Sequence, residues 1–450
     1  MDPILEQAHE LKQALVDFVL DAEGELAQAL ETYAALHLRR GSGDSIQQEF
    51  IIDSFLVEGK VDDKSPLELF IDSCEDLSES NIYQDVNLGN LINDWHRSFI
   101  GLFAITNVLP DGFEFRNWLT DKYYIVKPSD IQTLEKLSRL KVGEILLTRI
   151  FPVNNSYWMF SSPYTMMGKL GKPKLAVAIG NFKENYKNNL YSDAPDLLEE
   201  AWLSVEKYHH DFVDFFGSDE ITLPGYQLNK KIAEFQELIT DKRLAEAGID
   251  SSKSLAEMAA EAGVSEAEIE TAAQEVGADS QVVSQILQGK TNNGKSKMVM
   301  PKVDLPAELR KAEQVTAISH PRWGQMFLPT YSRMQGILSD EDRENLQGNE
   351  KLIRHYLEDK SINAFIWYRL AEKYPTQLEK VLQDFLQRPE FKINDLNSLL
   401  QEFDKPIEPD LPEIASVPIH LHNLFQEALT ELNKSKPKAK GQKKPAKGFQ

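Results

Sequence analysis

The sequence predicts an α+β fold, mainly α, with one small β-barrel of five or six strands between helical regions, followed by a helical insert and a helical C-terminal region. Two observations carry this expectation. Apolar residues recur at helical steps on both sides of residues 98–190, whereas inside that segment they alternate or run continuously as in strands. Residues 101–190 also hold twelve Lys/Arg against seven Asp/Glu and thirteen of the 42 aromatic residues, in a chain whose net charge is -22. A short, basic, aromatic-rich unit therefore sits within an acidic helical body.

The elements follow in order. Residues 5–40 read as one amphipathic helix, with Leu11, Leu15, Phe18, Val19, Ala22, Leu26, Leu30 and Tyr33 at three- and four-residue steps. Two more helices are expected over 45–57 and 66–74, the second with Ser65 as its cap and Pro66 in its first turn. From Ser98 the period changes. Residues 98–108 form a first strand, Pro110-Asp111-Gly112 a tight turn, and Phe113-Glu114-Phe115-Arg116 a second strand. Residues 122–127 give a third, 131–140 a short helix, 145–153 a strand apolar on both faces, and 157–160 a fifth strand. Leu175, Val177 and Ile179 alternate as a sixth strand would. Helices return over 196–216 and 225–244.

Three strands, a helix and two strands is an order that resembles the OB-fold, and the resemblance covers residues 98–160; an SH3-like barrel or another small sheet fits the same order. An OB-fold implies a ligand face on its second and third strands. Residues 249–289 form a small acidic helical module. There Ala259, Gly263 and Ile269, with Ser265, resemble the helix-turn-helix fingerprint, and Ala273, Gly277 and Val283 repeat the spacing. Charge opposes the DNA-reading role that this implies: residues 244–289 hold nine acids and one lysine, and Glu266, Glu268 and Glu270 would face phosphates.

The domains read as a helical region 1–97, the OB-like barrel 98–190, a helical return 191–248, the module 249–289, a polar linker 290–306, a helical region 307–433 and a disordered basic tail 434–450. Within the sixth, helices are expected over 323–338, 352–357, 362–374, 377–385 and 395–403. Trp367 to Pro375 resembles a helical-repeat unit, of which no second copy occurs. The lysine-rich end, closing on Lys447-Gly448-Phe449-Gln450, resembles that of uncharacterised cyanobacterial proteins and implies no function.

No motif identifies a reaction, and a non-enzymatic binding protein is expected. Cys74 is the sole cysteine, lies among Asp72, Glu75 and Asp76, and argues for a reducing compartment rather than a reactive thiol. With no secretory leader and no apolar run long enough to span a bilayer, a cytoplasmic location follows. His209-His210-Asp211 with Asp214 places His210 and Asp214 four residues apart but lacks a third ligand, and His420 and His422 are a weaker pair. Gly168-Lys169-Leu170-Gly171-Lys172 lacks phosphate-loop spacing. Neither metal nor cofactor is expected.

The leading expectation is RNA or ribonucleoprotein association through a basic aromatic face: Arg116, Trp118, Lys122, Tyr124, Lys127, Arg149 and Lys169. The tail lysines, Lys438, Lys440, Lys443, Lys444 and Lys447 among its seven, would add salt-sensitive attachment. The alternative is a protein–protein scaffold or assembly factor whose barrel is purely structural, its rings filling a core.

Overall fold

The computed structural model describes residues 2–37, 45–76, 86–128, 137, 139–246, 298–339 and 349–435. The chain divides into two compact units, one of residues 1–197 with 420–450, the other of residues 198–419.

In the first unit, α1 (Pro3–Leu20) starts where the Asp2 carboxylate accepts the Ile4 N–H at 3.1 Å, and it buries Leu5, Ala8, Leu11, Leu15 and Val19 on one stripe. The single helix expected over 5–40 is two. Gly24 takes φ +72°, a left-handed conformation that ends the run, and α2 (Glu25–His37) begins on the Gly24 carbonyl. The apolar period survived the break because four residues of loop bring the stripe back into phase. Helix α3 (Ser45–Glu58) follows, then α4 (Pro66–Asp76), which opens on a reciprocal cap between Ser65 and Glu68. A fifth helix absent from the sequence reading, α5 (Val86–Asp94), leads into the barrel.

Strands β1 (Phe99–Leu109), β2 (Gly112–Asn117), β3 (Tyr123–Lys127), β4 (Ile145–Pro152) and β5 (Trp158–Gly168) form a closed barrel in the order β1-β2-β3-β5-β4. This is an OB-like arrangement. Its seam is a short parallel pairing of Val126 with Trp158 and Lys127 with Met159. The β1–β2 turn is the two-residue hairpin that Pro110-Asp111 predicts, and a Cβ on Gly112 would lie 2.5 Å from the Val126 carbonyl oxygen, so only glycine fits. Of the connection between β3 and β4, where a helix is expected over 131–140, most residues lie outside those described; Leu137 and Leu140 join the barrel core.

Phe99, Phe103, Phe113, Phe115, Tyr124, Trp158 and Phe160 fill the interior, some edge to face, as in the Tyr124–Trp158 pair at 5.3 Å and 88°, and one pair, Phe113–Phe115, stacked at 27°. The outer faces of β1, β4 and β5 are apolar as well. Phe151, Val153, Tyr157 and Met159 pack with Trp95 and with residues of α1, α3 and α4; Ile100, Leu102, Ile145 and Leu147 pack under α6 (Lys172–Asn185) and the C-terminal helix Ile419–Ser435. Double-sided burial explains why β4, buried at every position, reads as apolar on both faces apart from Thr148 and Arg149. The expected sixth strand is this helix α6: Leu175, Ile179 and Phe182 face inward at helical spacing while Val177 is 62% exposed. Three alternating apolar residues fitted both periods, and Pro173 in the first turn suited the helix.

The second unit takes up α7 (Pro195–Phe216) from its second turn and continues with β6 (Glu220–Leu223), α8 (Gly225–Glu246), the two-residue β7 (Met298–Val299), β8 (Val315–His320) and β9 (Gly324–Leu328). A three-stranded antiparallel sheet of order β6-β8-β9 results, which the sequence reading missed. The helix expected over 323–338 is β9 followed by α9 (Tyr331–Ser339): Gly324, Met326 and Leu328 alternate inward before the helical period begins. Helices α10 (Glu350–Glu358), α11 (Ala364–Lys373), α12 (Pro375–Leu386) and α13 (Leu396–Glu402) fall close to their expected places around Trp367, Tyr356 and Leu370. Buried Lys405 closes the end of α10 by donating to the carbonyls of Asp359 at 2.6 Å and Ile362 at 2.8 Å. A short pair of β7 with β10 (Val417–Pro418) completes this unit. Among the described residues no helix is long and apolar enough to cross a membrane.

Candidate ligand face of the barrel

In OB-folds the second and third strands carry the ligand, gripped by the loops between the first and second and the fourth and fifth strands. Alternation on β2 and β3 turns Phe113, Phe115, Tyr124 and Val126 inward, leaving Glu114, Arg116, Tyr123, Ile125 and Lys127 outward. Tyr123, at 57%, is the one exposed ring on those strands.

The cations of the expected site do not point together into solvent. Arg116 donates from Nε to Asp121 and lies 4.5 Å over the Trp118 ring. Lys122 donates to the Asp193 carbonyl and stands 3.7 Å from the Asp196 carboxylate. Lys127 is 2.8 Å from Asp111 and 4.3 Å over the Tyr157 ring. Arg149 has no exposed side-chain surface: it meets Glu58, lies 3.3 Å from an Asp53 oxygen and donates to the Ser98 carbonyl. Lys12 of α1 completes that interior group, 2.8 Å from Asp53 and hydrogen-bonded to Ser161. Lys169, just past β5, is exposed.

The two aromatic candidates are likewise engaged. Tyr124, 5% exposed, donates to Asp193 at 3.3 Å, and burial first, then that carboxylate, pushes its phenol far up. Trp118 packs between barrel and α6, and its carbonyl accepts from His420 Nε2 at 2.7 Å. Burial holds the His420 pKa below its ordinary value. The tail candidates Lys438, Lys440, Lys443, Lys444 and Lys447 lie outside the described residues, as do Ala259, Gly263 and Ile269 of the acidic module.

The loop end is occupied too. Asn154 caps the β4–β5 turn by accepting the Ser156 N–H at 2.8 Å, and Tyr157 donates its hydroxyl to Asp2 at 2.5 Å. That bond is the main cause holding the Asp2 carboxyl below the usual range. The start of α1 thus lies against the end of the barrel where an OB-fold grips its ligand.

Sequence reasoning missed the acids. Asp53 and Glu58 come from α3, Asp193 and Asp196 from the chain after α6, and none falls in the strands they neutralise. The available signal was the charge contrast itself, since a basic segment in an acidic chain has its own flanks as the nearest source of counter-ions. Among the described residues no group of three or more His, Cys, Asp or Glu is placed to hold a metal ion. His210 lies 3.9 Å from Glu206 and, like Asp214 four residues on, is at the surface, whereas buried Asp211 turns to Lys242 at 2.5 Å on another face of α7. Comparison with known proteins finds no significant match to a protein family, a curated protein or a solved structure, and the strand order of the barrel is the likeness that the geometry itself supplies.

Proposed function

We propose that the chain is a non-enzymatic protein–protein scaffold or assembly factor in which the OB-like barrel is a structural centre. One observation carries the reading: Arg116, Lys122, Lys127 and Arg149 each contact a carboxylate of the same unit, and the rings beside them are largely interior. Stacking of bases needs open ring faces, and phosphate tracking needs cations that are not already neutralised. Helices over β1, β4 and β5 use the barrel as a surface to pack on. The test is purification of the full chain from native extract, with and without nuclease and at about 0.5 M salt, where exposed charge contacts are largely screened. Protein partners that stay bound under both treatments support a scaffold; loss of every partner on nuclease treatment would refute it.

A second reading, RNA association through the tail, is favoured by seven lysines without an acid over residues 434–450. Such a contact predicts retention of RNA that falls steeply with salt, vanishes on removal of residues 436–450 and is unchanged by Arg116, Lys122 and Lys127→Glu. Retention lost in the triple variant instead would return the contact to the barrel.

A further inference from the structure

Helix α2 is unusual in the first unit for how little of its apolar surface the described residues cover. Eight of its 13 residues are apolar, yet Leu26 is the only one of them buried; α1 buries five. An isolated helix of this length is marginal in water, so α2 depends on packing, and here that packing is one-sided. Beside it a groove of about 490 Å³ runs between α2, the end of α3 and the turn that follows. Phe55 and Tyr33 line it, their rings 5.4 Å apart. Ala29, Tyr33 and Leu36, at steps of four and three, line one wall, and Leu36 is 78% exposed. Val61, from the turn after α3, also lines it.

The rim carries charge of one prevailing sign. Among the described residues Glu25, Glu58 and Asp62 line the groove, against one ammonium, Lys60. Glu58 also meets buried Arg149 through one oxygen and keeps about a third of its side chain exposed, so the groove is tied directly to the barrel. Resting on the scaffold reading above, we propose that this groove docks a basic amphipathic helix of a partner protein. The occupant's apolar stripe at i, i+4 and i+7 would lie along Ala29, Tyr33 and Leu36, and its Lys or Arg residues would meet the carboxylate rim. A helix suits the site better than an extended strand, because the wall is a helical ridge rather than a strand edge. The chain's own lysine-rich end does not suit it, since residues 436–448 carry no apolar residue larger than alanine except proline.

The probe is a synthetic fluorescent peptide about five turns long, leucine at i, i+4, i+7 and i+11 and lysine on the flanks, titrated into the full chain at physiological salt. Two peptides of the same size serve as controls: one scrambled, one with glutamate in place of lysine. Saturable binding roughly tenfold tighter than either control, lost roughly tenfold in the Leu36→Lys/Glu25→Lys double variant, is expected. Both substituted side chains are exposed, and an unchanged circular dichroism spectrum and melting point establish that the variant is folded. Equal binding of the scrambled peptide, or equal binding by the variant, overturns the proposal. So does a gain in affinity on removing residues 436–450, which would make the chain's own tail the occupant. The same variant passed through the extract purification separates the two claims: if wild type retains no protein partner the scaffold reading falls, and if the variant retains all of them only the groove does.

Discussion

Arg149 shows how one side chain can be misjudged from its type. A cation on a basic strand suggests a surface for phosphates, yet this one is interior and is surrounded by Asp53, Glu58, Ser98 and, through Asp53, Lys12. Among the described residues, removing Arg149 leaves Asp53 with Lys12 as its one cation and Glu58, about a third exposed, with none, so the group is one positive charge short. Arg149→Met should therefore lower the stability of the first unit by about 3–5 kcal/mol, read as a shift in its urea midpoint. A change below about 1 kcal/mol would mean that water reaches the cluster. Lys405 is the corresponding residue of the second unit. Burial holds its amine down to about 8, from 10.5, although Asp359 opposes the shift. The unfolded chain then binds more protons than the folded one between these values, so stability from this group rises as pH goes from 8 towards 10.5 and is reduced below 8. Between pH 8 and 10 the second unit should gain stability, by on the order of 2 kcal/mol in its urea unfolding, and Lys405→Met should flatten that slope. Neither role was legible beforehand, because both depend on which distant carbonyl or carboxylate the fold brings to the side chain.

At the level of single elements, the turn joining β8 to β9 holds an acid-sensitive feature. His320 Nδ1 accepts from the backbone N–H groups of both Arg322 and Trp323 at 3.1 Å, which requires that nitrogen to carry no proton. Burial, then His209, bring the His320 pKa down to about 4; Arg369 and Arg322 act in the same sense and Asp219 opposes them, while the ring lies tilted, 4.1 Å from Phe365. Its folded value lies below the ordinary 6.5, so the stability present above pH 6.5 is lost as pH falls towards 4. Amide exchange at Arg322 and Trp323 should accelerate relative to its intrinsic rate, which itself slows as pH falls, over that window. In His320→Asn, whose side-chain oxygen can accept the same N–H groups, the acceleration should disappear. Elements were legible where period and punctuation agreed, as at Pro110-Asp111-Gly112 or at Ser65-Pro66. They were misread where a short run satisfied two periods, as with Leu175, Val177 and Ile179, or where a strand and a helix adjoin without a loop of their own, as at Gly324 to Tyr331.

Over the whole molecule, the contrast between a basic barrel and an acidic remainder is resolved inside the first unit, where flanking acids meet barrel cations. The fold class followed from the change of period at Ser98. The state of the expected ligand face did not, since strand alternation tells which residues share a side but not what lies against it. One consequence is testable at this scale. Residues 98–169 made alone would expose Ile100, Leu102, Leu147, Phe151 and Met159, all buried in the full chain, and should aggregate or give poorly dispersed amide spectra. A monomeric, well-dispersed fragment would show that the barrel stands without its helices. The chain order adds a constraint in time. Leu421 and Leu424 pack on the barrel face of Leu102 and Leu147, but residues 198–419, a compact unit in their own right, are translated in between. During synthesis the ribosome must therefore release the whole inserted unit before that greasy flank is sealed, which leaves a nascent chain that chaperones would be expected to shield.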